Sequence, residues 1–182
     1  MHFLAPFVLL ALLSAEEQPV VPVELQAELL GKVLRYDRQF LAHAGDGARV
    51  LVLHLDTPGS TGAARQVLSA LEALPALGGV GHHEELARFS TADALAALIR
   101  ERGFDVVVLA PGLASQAANI SRALDGLAVL TVSTTPDGVR EGFVLGFDLV
   151  AGKPRMLVNL GSARRQHADF RAEVLQLMTV FP

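Results

Sequence analysis

From Val23 to Ala44 apolar residues recur at helical spacing. Val23, Ala27, Leu30, Leu34 and Leu41 form one stripe, with Leu29, Val33, Tyr36 and Phe40 beside it. So broad a stripe predicts one mostly buried helix. The next run, 49-RVLVLHL-55, is continuous and rich in β-formers, the pattern of a strand covered on both faces within a parallel sheet. After a glycine-rich turn, 63-AARQVLSALEAL-74 returns to helical spacing and is closed by Pro75 and Gly78-Gly79. A weak polar strand is expected over 80-VGHHEEL-86. Then 90-STADALAALIRERG-103 predicts a helix opened by a capping box of Ser90 with Asp93 and closed by Gly103. The runs 104-FDVVVLAPG-112 and 127-LAVLTVS-133 predict buried strands, with 114-ASQAANISRAL-124 as the helix between them.

The chain closes with two strands, Gly142–Val150 and Arg155–Leu160, paired as an antiparallel hairpin around 151-AGKP-154, and a last helix from about Gly161 to Val180. Phe147, Leu149, Val158, Leu175 and Leu177 are expected to point inward. The alternation predicts an α/β fold: a mixed, mainly parallel sheet sandwiched by helices, ending in a β-hairpin and a C-terminal helix. At 182 residues this is one domain, placed at 23–182.

Composition narrows the function classes. The chain is 51% hydrophobic and 19% charged, which excludes disorder. A net charge of -4 and a pI near 5.8 give no electrostatic reason to bind nucleic acid. The absence of cysteine rules out disulfides, thiolate catalysis and cysteine-ligated metals. The first residues, 1-MHFLAPFVLLALLSAEE-17, are apolar from Phe3 to Leu13 and then acidic, a length suited to a signal-peptide core. We expect a signal peptide over 1–15, cut after Ala15, a proline-bearing linker over 16–22, and a periplasmic mature chain.

Candidate chemistry centres on three motifs. The turn 54-HLDTPGSTG-62 lacks the lysine of a P-loop, and Asp56 would repel phosphate. Its first part, 53-LHLDTPGS-60, resembles the L-D-T-P-G-G stretch of ClpP-like serine proteases, and 109-LAPGLASQAA-118 echoes their nucleophile segment with Ser115 as candidate. Ser60 replaces the second glycine, however, and a nucleophilic serine needs a base that spacing does not supply here. The plainer expectation is that Pro58 and Gly59 end a strand and Ser60 or Thr61 caps the next helix. Adjacent His82 and His83 diverge on either a strand or a helix, so they are expected on a solvated polar surface rather than on one metal ion. His43, His54 and His167 stand alone, without a Ser-His-acid set. We expect no catalytic residues, metal or cofactor.

The segment 142-GFVLGFDLVAGKPRMLVNLGSARRQHADFRAEVLQLMTVF-181 resembles the C-terminal signature of the YfiR-like family. Gly142, Phe147, Gly152, Asn159, Ala163 and Arg164 are among the residues that fall into its pattern without a gap. The opening helix, 24-ELQAELLGKVLRYDRQFL-41, is similar to that family's first helix. The chain departs from the family at Gly146, where Asn is frequent, and in lacking cysteines.

The resemblance implies a periplasmic, non-enzymatic regulator. It would bind the periplasmic region of an inner-membrane signalling protein, such as a diguanylate cyclase, and repress it, with cyclic-di-GMP and biofilm as the output; a homodimer is a further expectation. Arg164, Arg165 and Asn159 are the candidate partner- or ligand-contact residues, although a capping role also suits Asn159 and a solvated helix face suits the arginines. A serine hydrolase using Ser115 and a small-ligand-binding domain of a signalling or uptake system stay open as alternatives.

Overall fold

A computed structural model describes residues 20–182, so the expected signal peptide and most of the expected linker lie outside the described residues. The first helix, α1 (Val23–Val33), runs into a 3-10 turn, Leu34–Tyr36, and is separated from α2 (Phe40–Ala44) at Asp37. The single helix expected over Val23–Ala44 is therefore broken. Asp37 turns extended, and its buried carboxylate accepts from the backbone N–H of Gln39 at 3.0 Å and of Asp169 at 2.9 Å. A short acidic side chain that captures backbone donors in this way competes with helix continuation.

The β-α alternation follows: β1 (Gly47–His54), α3 (Pro58–Glu72), β2 (Gly81–Arg88), α4 (Ala92–Arg102) and β3 (Val106–Leu109). A 3-10 turn then leads into α5 (Ala117–Ala123), followed by β4 (Leu130–Ser133) and a short α6 (Pro136–Arg140). Helix α3 starts at Pro58 rather than Ala63. Its cap is Thr57, whose hydroxyl accepts from Ser60 N at 3.3 Å, with Pro58 in the first turn where its missing N–H costs nothing. Likewise Thr91, not Ser90, caps α4 by accepting from Ala94 N at 3.2 Å. The chain ends with β5 (Leu145–Val150), β6 (Lys153–Asn159), α7 (Leu160–Arg165), α8 (Ala172–Leu175) and β7 (Thr179–Phe181).

Among the described residues one seven-stranded sheet runs in the order β2-β1-β3-β4-β5-β6-β7. Pairing is parallel from β2 through β5, antiparallel between β5 and β6, and parallel between β6 and β7. Strand alternation divides the core in two. Val50, Val52, Val106, Val108 and Val132 pack with α1 and α3 on one face, while Leu51, Leu53, Val107 and Leu109 pack with α4 and α5 on the other. The hairpin β5–β6 turns through Ala151 (φ 50°) and Gly152 (φ 72°), both left-handed, as the tight two-residue connection requires.

Helix α6 lies very close to the sheet. A Cβ on Gly138 would stand 2.3 Å from Ser133 Oγ, and one on Gly146 would stand 2.5 Å from Val139 Cγ2. The latter contact explains why this chain has glycine at 146: the α6–β5 approach leaves no room for a side chain.

The last helix expected over Gly161–Val180 is three elements instead. His167 takes φ 58°, and Ala168 N donates back to Ala163 O at 2.8 Å, which closes α7. Phe170 then enters the core and bridges to Asp37, before α8 and the edge strand β7. This break reverses one expectation: Leu177 lies beyond the end of α8 and is 70% exposed rather than inward. Phe147 and Val158 are buried, and Leu149 and Leu175 pack partly against the core.

Candidate functional site

Open α/β sheets usually bind ligands outside the carboxyl ends of their parallel strands. Here the turns after β1, β3 and β4 are tied together by the chain itself. Ser60 Oγ accepts from Leu55 N at 3.0 Å and donates to Pro111 O at 2.9 Å, joining the first two turns. Thr134 Oγ1 donates to Leu109 O at 3.0 Å, and Gln26 Nε2 reaches Val21 O at 2.8 Å and Thr134 O at 3.3 Å. His54 Nδ1 lies 2.8 Å from Leu55 O and 3.1 Å from Thr61 Oγ1. Ser115 is exposed beside this edge, and among the described residues its hydroxyl bonds only Gly112 O, at 3.4 Å. No base is brought to it.

The histidine pair is also placed differently from expectation. His83 is exposed, but the His82 and Glu84 side chains are buried together on the edge strand β2. The His82 ring contacts the Glu84 carboxylate and, through Nε2, lies 3.0 Å from Leu74 O. Burial is possible because both polar groups are paired. Among the described residues no cluster of His, Asp and Glu has metal-ligand geometry.

At the opposite, amino-terminal edge of the strands, a small cavity of about 20 Å³ lies between Asp105, His43, Gln166 and His167. Burial pushes the Asp105 carboxyl above the usual carboxylate range, opposed by a 2.8 Å bond from Arg49 N and by the charges of His43 and Arg49. Gln166 Oε1 accepts from Thr131 N and Oγ1 at 3.1 and 3.0 Å, and Thr131 Oγ1 accepts from Val144 N at 3.0 Å, which locks α7 to β4 and β5. The space suits a water molecule, not a substrate.

An apolar groove of about 300 Å³ lies where the end of α1, the β5–β6 hairpin and α8 converge. Leu29, Val33 and Tyr36 form one wall, Pro154 and Met156 the second, and Leu177 with Met178 the third. Tyr36 and Leu177 are 41% and 70% exposed, although both are large apolar side chains. Lys32, paired with Glu28 at 3.6 Å, is the charged residue that lines the groove. Arg35 precedes Tyr36 in the chain, Arg171 N donates to the Tyr36 carbonyl, and exposed Lys153 and Arg155 flank Pro154 in sequence. Among the described residues Arg35, Lys153 and Arg171 have no carboxylate partner, while Arg155 Nη1 reaches only the Leu177 carbonyl, at 3.4 Å. Sequence reading missed this groove because it treated Leu177 as core.

The sequence-predicted contact residues lie together on the β6–α7 junction. Asn159 caps α7, its Oδ1 accepting from Ser162 N at 2.9 Å while Nδ2 donates to Val139 O at 3.2 Å. Arg165 is held by Asp125 at 3.1 Å and by Ser162 Oγ at 2.9 Å, whereas exposed Arg164 has no charged partner among the described residues. Both arginines occupy the last turn of a short helix, where a positive charge is favoured by the dipole. Their presence is thus compatible with local stability.

A family model described as YfiR/HmsC-like matches residues 24–179. Among solved structures, the chain is similar to an ABC domain in complex with L-Trp from Streptococcus pneumonia (10% identity, TM-score 0.60, covering 88% of this chain and 62% of that one). It is also similar to a conserved domain protein from Vibrio cholerae (18%, 0.55, 88% and 60%). A third is the ligand-free, open structure of CD0873, a substrate binding protein with adhesive properties from Clostridium difficile (11%, 0.53, 78% and 57%). At these identities the likeness is one of fold, and the chain spans about three fifths of the length of each. The comparison with curated proteins gives no match.

Proposed function

The chain belongs to the YfiR/HmsC-like family, and from that premise we propose that it is a periplasmic regulator that acts by protein contact and holds a membrane diguanylate cyclase inactive. Export would follow cleavage of the apolar leader after Ala15. The observation that carries the docking part is the apolar groove, since exposed large apolar side chains grouped in one concave surface mark interaction sites. Its chemistry suits an amphipathic partner segment with apolar anchors. Exposed Arg164 adds a candidate polar contact, with Arg165 and Asn159 as positioning groups beside it. The hydrolase alternative gains no support from Ser115, whose hydroxyl faces a carbonyl instead of a base.

The test uses a strain carrying the cognate cyclase and either this chain or Arg164→Glu with Arg165→Glu. Wild type should keep cyclic-di-GMP low and co-purify with the cyclase's periplasmic region. The double variant, folded to wild-type thermal stability within a few degrees, should raise cyclic-di-GMP. Full repression by the double variant would remove these arginines from the contact surface, and failure of the wild type to co-purify would overturn the regulator reading.

A further inference from the structure

Of the chain's three methionines, Met1 lies outside the described residues, and the other two, Met156 and Met178, wall the same apolar groove. The chain has no cysteine, so thioethers are its only sulfur, and both described ones stand at the surface proposed for docking. They differ in access. Met178 is 8% exposed and belongs to the core. Met156 is half-buried: strand alternation puts it on the face of β6 that carries Pro154 and Val158, where it packs partly against the core while lining the groove. Around the same opening Tyr36 and Leu177 are 41% and 70% exposed, so nothing among the described residues covers the Met156 side chain on its groove side.

A thioether takes an oxygen atom from hydrogen peroxide and related oxidants. A lone pair of the Met156 sulfur bonds one peroxide oxygen as the O–O bond breaks, and the proton on that oxygen passes to the departing hydroxide, which leaves as water. Sulfur loses two electrons and the peroxide gains them. The product, methionine sulfoxide, carries a polar S–O acceptor on a side chain that was apolar. In the free chain that oxygen faces water. Docking strips the water away against walls that are aliphatic at Leu29, Val33, Pro154 and Leu177, and a buried acceptor without a donor opposes association. Lys32, the cation in the lining, is engaged by Glu28 at 3.6 Å.

We propose that Met156 is a modification site for peroxide-class oxidants and that its sulfoxide releases the partner from the groove; the release rests on the docking reading above, whereas the modification does not. Met178 would respond differently. Its side chain is part of the core, so oxygen reaches it later, and its sulfoxide disturbs the packing beneath β7 and lowers stability instead of acting on docking alone. Oxidation confined to Met156 is reversible, because methionine sulfoxide reductases return the thioether.

The experiment treats the exported chain with dilute hydrogen peroxide and follows the peptides carrying Met156 and Met178 by mass spectrometry, with isothermal titration against the periplasmic region of the cognate cyclase and thermal melts of the same samples. Met156 should gain its oxygen before Met178. At full conversion of Met156 alone, affinity should fall at least about tenfold, with the melting temperature nearly unchanged. Treatment with both methionine sulfoxide reductases and a dithiol should restore it. Met156→Leu, close in volume and without a sulfur to oxidise, should bind like the untreated wild type and keep its affinity through the peroxide step, whereas Met178→Leu should lose affinity as the wild type does. Oxidation of Met178 ahead of Met156, an unchanged affinity at full Met156 conversion, or an equal loss in Met156→Leu would overturn the inference. If the untreated chain does not bind at all, the docking reading falls and the release with it, while the order of oxidation still decides the modification site.

Discussion

Leu177 offers the sharpest quantitative check on the groove. Full burial of a leucine side chain is worth about 1.5–3 kcal/mol, and Leu177 still exposes 70% of its surface. Docking would therefore gain about 1–2 kcal/mol from this residue, a factor of roughly 5–30 in Kd that Leu177→Ala should remove. Folding should hardly notice the change, because the side chain buries so little in the free protein; we expect less than about 0.5 kcal/mol in stability. The pairing of a large binding effect with a negligible folding effect is what distinguishes a docking residue from a core residue. Isothermal titration against the periplasmic region of the cognate cyclase, with thermal melts of the same samples, reads both quantities. Leu177→Glu should weaken binding further, since it places an unpaired charge in an apolar contact. If Leu177→Ala binds within about twofold of wild type while the complex still forms, a value outside that predicted range, the groove is not the interface.

Two further expectations concern the scaffold. Gly138→Ala forces a methyl group against Ser133 and Phe143 and should cost about 1–3 kcal/mol, seen as a lowered melting temperature without loss of the β-sheet circular dichroism signal. Asp105 holds its proton more tightly when folded than when unfolded, so its contribution to stability falls as pH rises from the ordinary carboxylate value, about 4, through its raised folded value. Asp105→Asn removes that titration: its melting temperature relative to wild type should climb across this window, and a flat difference would contradict the burial argument.

The buried strands were legible in sequence because continuous runs such as 106-VVVL-109 have few other uses. The antiparallel hairpin was legible too, since Ala151-Gly152 separates two apolar alternations. What escaped were breaks whose causes are long-range. Asp37 ends its helix partly by capturing the backbone of Asp169, 132 residues away, and Phe170 leaves helical geometry to join it. Periodicity over Leu175 and Leu177 could not reveal that the helix carrying it stops at Leu175, so a groove wall was read as core. Thr57 caps α3 where Ser60 or Thr61 was expected, and Thr91 caps α4 where Ser90 was expected, shifts that several nearby hydroxyls leave undecided. Asn159 was legible as a junction residue from its position between the last apolar strand and the next helix. Arg164 and Arg165 were expected near the start of a long last helix, whereas α7 is only 6 residues long and ends with them.

The hydroxyl bridge of Ser60 between the turns after β1 and β3 has a bearing on how control would be graded. A protein that senses by clamping two lobes on a ligand responds sigmoidally or hyperbolically to ligand supply, and its copy number matters little once it is saturated. With the turns after β1, β3 and β4 tied together from within, the described residues offer no such clamp at those turns, and repression through the groove would count molecules: one chain silences one binding site. Output would then follow the ratio of regulator to target, rising linearly once targets outnumber regulators, so that transcription of the two genes, rather than a metabolite threshold at the strand ends, would set the point at which signalling begins.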